Sequence, residues 1–349
     1  MLSHRLEPTV RAAILDAAME PRPTVDDPDR PSGRGRDPEA LLASARAGDR
    51  GAIGRLLSLV ERGGETAQVV GRLAFAGSGD GAQVVGITGA PGAGKSTLTD
   101  HLISSAKRGG GRVGVLAVDP SSPFSGGAIL GDRIRMQDHA LEEDVFIRSM
   151  ATRGHQGGLA LAAPGAIRVL VASGLGVVLV ETVGVGQVEV EIAAEADTTL
   201  VVVNPGWGDA VQASKAGLLE VADVFVVNKA DRPAAAETKA DLENMLDMNP
   251  SMGEWRPPVL LTSATTGEGV DALWSAVVAH REYLESSGEL AKRRERRLVD
   301  ELERILVWRI RQDVRAMHDG ILFDQVVAEV TSGRLDPYEG AERLLASRP

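Results

Sequence analysis

From Gln83 onward the chain repeats one unit, a short continuous apolar run followed by a stretch at helical spacing. The runs are VVGI (84–87), VGVLAV (113–118), VFI (145–147), VVLV (177–180), TLVVV (199–203), VFVV (224–227) and VLL (259–261). Strands that are apolar along their whole length must be covered on both faces. A mostly parallel sheet with helices on each side meets that demand. The predicted class is therefore α/β. At 349 residues and 43% hydrophobic the chain can build such a core, and with aromatics at 3% it must build it from Val, Leu, Ile and Ala.

Charge and composition narrow the partners. The net charge of −11 disfavours binding to a nucleic-acid backbone. The absence of cysteine excludes disulfides and thiolate metal sites, and fits a reducing cytoplasm. No run approaches the roughly 20 apolar residues that span a bilayer, so no membrane association is expected. Glu7, Asp16 and Glu20 sit where a secretory or transit peptide would avoid acids. A cytoplasmic location is the expectation.

The first apolar run is followed at once by Gly89-Ala90-Pro91-Gly92-Ala93-Gly94-Lys95-Ser96, and then by a helical stretch from Thr97 to Ser105. This is a complete GxxxxGK[ST] between a strand and a helix, the context that a phosphate-cradling P-loop requires. Its glycines let backbone N–H groups close around a β-phosphate, and the helix turns its positive end toward the anion. Lys95 is expected to bridge β- and γ-phosphate oxygens and the Ser96 hydroxyl to ligate Mg²⁺.

The base is read from Asn228-Lys229-Ala230-Asp231, which ends the sixth run. A carboxylate at Asp231 accepts from both N1–H and the 2-amino group of guanine, and adenine offers neither donor. Asn228 is expected at the purine edge and the Lys229 stem across a base face. Thr262-Ser263-Ala264 closes the seventh run, where a backbone N–H is expected to meet guanine O6. Guanine nucleotide, GTP or GDP, is thus favoured over adenine nucleotide.

Acids follow two further runs. Asp119 follows 113–118 and opens DPSSP, where it serves either the metal or a turn. Glu181 follows 177–180 and stands three residues before Gly184, the spacing of a γ-phosphate sensor in which the acid holds the metal's water and the glycine N–H meets the phosphate. Asp132 reads as a metal acid or as a surface acid paired with Arg133 or Arg135. Lys95, Glu181 and Asp119 are the catalytic candidates. Ser96, Asp119, Asp132 and Glu181 are the metal candidates. After Gly184 stands Val185, where Ras-like GTPases place the water-orienting Gln. Intrinsic hydrolysis should be slow unless a partner completes the site.

Outside this region, residues 1–37 are rich in Pro, Asp, Arg and Gly around 20–37 and are expected to be disordered. Residues 38–80 form a helical segment. Leu41, Leu42, Ala45, Ile53, Leu56, Leu57 and Val60 recur at helix spacing, Gly63-Gly64 breaks the run, and a second helix covers Ala67 to Leu73. The P-loop domain is bounded at 81–280. Residues 281–349 form a charged helical arm whose stripe of Leu298, Leu302, Ile305, Leu306 and Ile310, with Trp308, is wide for a lone helix. Dimerisation is expected there, with a solvated charged cap as the other reading. Arg148 and Arg153 read equally as contacts to nucleotide or partner and as ion pairs. The six histidines, His101 among them, show no ligand spacing and read as structural or solvent histidines.

Five stretches together carry a resemblance: VDPSSPFSGGAILGDRIRM (118–136), FIRSMATRG (146–154), ETVGVGQVEVEIA (181–193), NPGWGDAVQASKAG (204–217) and VVNKADR (226–232). They are similar to the MeaB/ArgK GTPases, the methylmalonyl-CoA mutase-associated group that includes human MMAA, over about residues 38–280. The resemblance implies a metallochaperone-type GTPase. Such a protein gates adenosylcobalamin loading into an acyl-CoA mutase and protects or reactivates that enzyme, with the adenosyltransferase as a second partner. It puts Asp119, Asp132 and Glu181 on the family's Mg²⁺ and switch acids. Gln212 and Lys215 fall on a further switch that acts in partner-dependent activation, and the C-terminal arm on a homodimer contact. No direct cobalamin site is assigned. Two other readings are a GTPase of nickel-enzyme maturation, against which the absent cysteines speak, and a nucleotide-gated binding module whose hydrolysis is incidental.

Overall fold

A computed structural model describes residues 37–79, 81–119, 139, 141–151, 158–182, 195–206, 221–248, 254–318 and 320–346. The expectation of disorder over 1–37 falls almost wholly outside these residues. Seven strands are described: β1 (Gln83–Gly89), β2 (Val113–Asp119), β3 (Val145–Ala151), β4 (Val177–Thr182), β5 (Thr198–Val203), β6 (Val224–Asn228) and β7 (Val259–Thr262). Each contains one of the apolar runs. They form one sheet in the order β3-β2-β4-β1-β5-β6-β7, with every pairing parallel. Strands β2 and β3 lie to one side of β1, β4 enters between β2 and β1, and β5, β6 and β7 follow on the other side. The cleft beside β1, at the carboxyl ends of the strands, is the place where such sheets bind ligands.

The continuous apolar runs are explained by burial on both faces. On one face Val84, Leu116, Val118, Val178 and Val180 lie under α1 (Pro38–Arg46), α2 (Arg50–Arg62), α3 (Gly64–Gly77) and α5 (Gly158–Ala172). On the other, Val85, Ile87, Val115, Leu179, Leu200, Val202 and Val226 lie under α4 (Lys95–Lys107) and α7 (Val270–Ser286). Alternate residues of each strand thus enter different cores. A third cluster packs Val201, Val203, Phe225 and Val227 against α6 (Ala235–Asp247).

The helical additions differ from expectation in two ways. The stretch before Gly63 is two helices rather than one, because Gly48 takes φ +101° and Asp49 caps α2, its Oδ1 accepting from Gly51 N at 2.7 Å and Ala52 N at 3.1 Å. The break at Gly63 is as expected, with φ +73°. These helices supply one layer of the main core, with Ile53 and Leu57 fully buried. At the other end, position 280 falls inside α7, which packs on the sheet through Leu273 and Val277. The long helix α8 (Glu289–Met317) follows after Gly288, and α9 (Ile321–Thr331) and α10 (Pro337–Ala346) pair beyond it.

Helix α8 is fastened to the amino-terminal edge of the sheet by charge. Asp197, just before β5, receives Arg294 Nη2 at 2.9 Å, Arg297 Nη2 at 2.5 Å and Arg281 Nη1 at 3.2 Å. Asp223, just before β6, receives both Nη atoms of Arg293 at 3.0 and 2.9 Å. Its Oδ1 lies 3.2 Å from Nε2 of the fully buried His280, poorly aligned for a full hydrogen bond. Glu195 pairs with Arg304, and Glu301 with Arg168.

Burial alone would push the Asp197 carboxyl up, but Arg294 and Arg297 outweigh it and hold the group below the ordinary carboxylate value. The same balance, with His280 and Arg293, lowers Asp223. Burial raises Glu195 despite Arg304. A lowered acid stabilises the fold above its unfolded pKa of about 4, and that stability is lost as pH falls through the lower folded value. Glu195 has the opposite sign, since its raised pKa costs stability at neutral pH and releases that cost on protonation.

Asp197→Ala strands three arginines at a nearly closed site and should cost about 3–5 kcal/mol in urea unfolding at pH 7. The deficit against the unsubstituted protein should shrink when the measurement is repeated below about pH 4.

Candidate functional site

Four strand ends converge on the mouth of β1. Ile87 of β1 is level with Glu181 of β4 and Leu200 of β5, and Asn228 of β6 is level with Thr262 of β7. Asp119 ends β2 one step beyond the Val118↔Thr182 pair, so its backbone borders Glu181's strand. Its side chain, and the whole of Asp132, Gly184, Gln212, Lys215 and Arg153, lie outside the described residues.

The loop from Gly89 to Gly94 uses its glycines for different reasons. Gly89 has φ +141°, and a Cβ there would strike the Val202 carbonyl of β5. Gly92 has φ +72° in open space, so only its backbone angle calls for glycine. Gly94 has φ +89°, and a Cβ would strike the Asn228 amide. Ala93 is fully buried beneath the loop, and Ala90 accepts its N–H at 3.1 Å. Helix α4 begins at Lys95, and Thr97 lies half-buried in its first turn. The Lys95 ammonium donates to Gly89 O at 2.8 Å and Ala90 O at 3.0 Å, across the loop that would hold phosphate. Pro91 is exposed at the loop's rim.

Ser96 and Glu181, placed on separate elements, meet. The Ser96 hydroxyl donates to Glu181 Oε1 at 2.6 Å, and both residues are buried. A hydroxyl beside a carboxylate at a P-loop helix is a hard-oxygen pair of the kind that suits Mg²⁺. The residues present fit that ion.

On the base side, Lys229 has φ +60°, the one non-glycine with positive φ among the described residues. That turn sends its Nζ back to Gly92 O at 2.5 Å and leaves Asp231 exposed at the cleft edge. Asn228 is 1% exposed. Its Nδ2 donates to Ala93 O at 2.7 Å, and its Oδ1 accepts from Ala264 N at 3.0 Å and Thr262 Oγ1 at 3.2 Å. The Asn228 amide joins the two loops through its Oδ1 and one of its two Nδ2 hydrogens. Of the backbone N–H groups at 263–264, that of Ala264 goes to Asn228 and that of Ser263 to Glu268 O at 3.0 Å. Beyond them the chain turns at Gly267 and Gly269, whose φ values are +77° and +78°.

The family model described as methylmalonyl Co-A mutase-associated GTPase MeaB matches residues 53–319. The chain belongs to that family. It is a GTPase. A Pyrococcus horikoshii relative is 48% identical over 310 residues, covering 88% of this chain and 97% of the relative. The GTPase ArgK of Escherichia coli is 38% identical over 265 residues, 74% of this chain and 80% of that protein. The mouse methylmalonic aciduria type A homolog, described as mitochondrial, is 34% identical over 271 residues, 75% of this chain and 64% of its own. Among solved structures, the LAO/AO transport system kinase superposes with a TM-score of 0.67 at 28% identity, covering 90% of this chain and 99% of that one.

Within this GTPase, Arg148 is an ion-pair residue. Its guanidinium holds Glu61 of α2 at 2.8 Å and Ser58 Oγ at 3.1 Å, away from the nucleotide face. Sequence reasoning passed over His101, whose Nε2 lies 2.8 Å from Ala264 O. Its place six residues after Lys95, on the P-loop helix, was the available signal. No cluster of three His, Asp or Glu suited to a metal is found among the described residues.

Gly94→Ala should lower GDP affinity by at least about tenfold, because the added methyl displaces the Asn228 amide and leaves buried partners unpaired. Calorimetric titration with GDP and Mg²⁺ checks this.

Proposed function

We propose that this GTPase is a metallochaperone for an adenosylcobalamin-dependent acyl-CoA mutase. It gates cofactor loading into methylmalonyl-CoA mutase or a related enzyme and protects or reactivates it. The triphosphate occupies the loop from Gly89 to Thr97, with Lys95 against the β- and γ-phosphates and Gly184 at the γ-phosphate. Asp231 reads the guanine edge, and the Lys229 stem flanks the base. Ser96 and Glu181 hold Mg²⁺ with help from Asp119 and Asp132. The ion supplies charge neutralisation at the phosphates when bound.

The observation that carries this reading is the 2.6 Å bond between Ser96 and Glu181. It ties the first turn of the P-loop helix to the start of the segment that holds Gly184 and Val185. A change at the γ-phosphate would thereby pass through Glu181 to the residues that follow it in sequence. The mutase as client rests on the family's description and on the mouse relative. The zero cysteines weigh against a nickel client, whose delivery usually needs thiolates.

Helix α8 supports the homodimer. Leu298, Leu302, Leu306 and Ile310 are 44–58% exposed along its length, an apolar row that a second copy would cover. Gln212 and Lys215 remain the candidates for activation in the complex. We infer a cytoplasmic setting; no described helix is long and apolar enough to cross a membrane.

Adding a cobalamin-dependent mutase should raise GTP turnover by an order of magnitude or more, as partner-supplied groups do elsewhere. Phosphate release with and without the mutase measures this, and equal rates would overturn the client assignment. Asp231→Asn should shift base preference from guanine toward xanthine nucleotides by about tenfold or more. Competition between GDP and XDP reads the shift.

A further inference from the structure

We propose that His101 is a positioning residue for guanine recognition, locking the base loop at 263–267 to the phosphate-loop helix. The proposal deepens the reading of Asp231 and the 262–264 turn as the base site, and rests on it.

His101 lies on α4, two turns beyond Lys95, and its ring reaches the opposite loop. Nε2 stands 2.8 Å from Ala264 O. A carbonyl can only accept, so Nε2 carries the hydrogen and donates it, in either protonation state of the ring. The ring also packs on the turn, since a Cβ built at Gly267 would sit 3.5 Å from His101 Cε1. Gly267 and Gly269 both adopt positive φ there, and Gly267 N and Thr266 N bond back to Ser263 O at 2.9 and 3.1 Å. The turn is tight, and His101 is its side-chain tie to α4.

Followed through, the bonds close a ring. Ala264 donates its N–H to Asn228 Oδ1 at 3.0 Å, and Asn228 Nδ2 donates to Ala93 O at 2.7 Å. Ala93 leads through Gly94 into α4, which returns to His101. Ala264 is thus held through both flanking peptide groups, by Asn228 on its nitrogen and His101 on its oxygen. Asn228 fastens the turn to the phosphate loop at the Ala264 nitrogen. His101 adds a second tie, at the Ala264 oxygen, and holds the base loop at a set distance from the phosphate-loop helix. A rigid site of that kind discriminates bases, because a mismatched edge cannot be met by loop movement.

The test uses three probes on the full chain: GDP, ADP and inorganic tripolyphosphate, each with Mg²⁺. In His101→Phe the ring volume stays and the donor goes. GDP affinity should fall about tenfold, the effect of one buried acceptor left unpaired, and tripolyphosphate affinity should stay within about twofold. His101→Gln, whose side-chain amide reaches a similar position, should restore GDP affinity to within about twofold of the unsubstituted protein. Equal losses for GDP and tripolyphosphate, unchanged GDP affinity in His101→Phe, or no rescue by His101→Gln would each overturn the proposal. If the unsubstituted protein fails to prefer GDP over ADP, it is the underlying base-site reading that falls.

Discussion

The nucleotide face is organised around one buried carboxamide. Asn228 offers a donor to the phosphate loop at Ala93 and an acceptor to the base loop at Ala264 and Thr262. Only an amide places a donor and an acceptor on one short side chain at opposite angles. An aspartate would turn a second acceptor on Ala93 O, and a leucine would strand all three partners in a closed space, at about 1–3 kcal/mol for each unsatisfied group. The restriction at Gly94 has the same source, since that glycine lacks a side chain so that the amide can come close. Residues usually credited with touching the ligand here first hold the protein together.

The sheet carries a second polar system at its other end. Asp197 and Asp223 precede β5 and β6 and gather arginines from α7 and α8. Strand β6 is five residues, about 17 Å, between Asp223 and Asn228. Every residue of it is buried, and it is paired on both edges. Such a strand cannot slide without breaking two ladders. The arm and the base loop are attached to the two ends of one stiff element, so their relative placement is set by covalent geometry rather than by surface contacts. The same acids also accept backbone N–H groups of the sheet, Asp197 Oδ2 from Val84 N at 3.2 Å and Asp223 Oδ2 from Thr199 N at 2.9 Å.

Much of this could be read from the residues in order. The apolar runs located all seven strands, because burial on both faces leaves a strand no polar position to lose its signal. The phosphate loop was equally plain, since its glycines answer to backbone angles that other residues avoid. The helix break at Gly48 and Asp49 was not seen, because Leu41 through Val60 keep nearly one period across it. The inward use of Asn228 and of the Ala264 N–H could not be read either. Sequence order shows that a motif ends a strand, but not which of its polar groups have already been taken by a neighbour 36 residues away. His101 stayed hidden for a related reason: its partner is a carbonyl, which every residue possesses and no pattern marks.

The polar groups of the phosphate side need little rearrangement for the proposed task. Lys95 rests on the carbonyls of Gly89 and Ala90 and Lys229 on that of Gly92, so two cations already stand at the loop that would receive an anion. An arriving phosphate adds a full charge beside those carbonyl dipoles, where charges already in place act most strongly. Ser96 follows the same logic. A hydroxyl has one hydrogen and two lone pairs, so it can continue donating to Glu181 while presenting a lone pair to a cation. Glu181 then fixes the direction in which that lone pair points. An acid in this place acts on the metal site twice over, through its own charge and through the orientation it imposes on the serine.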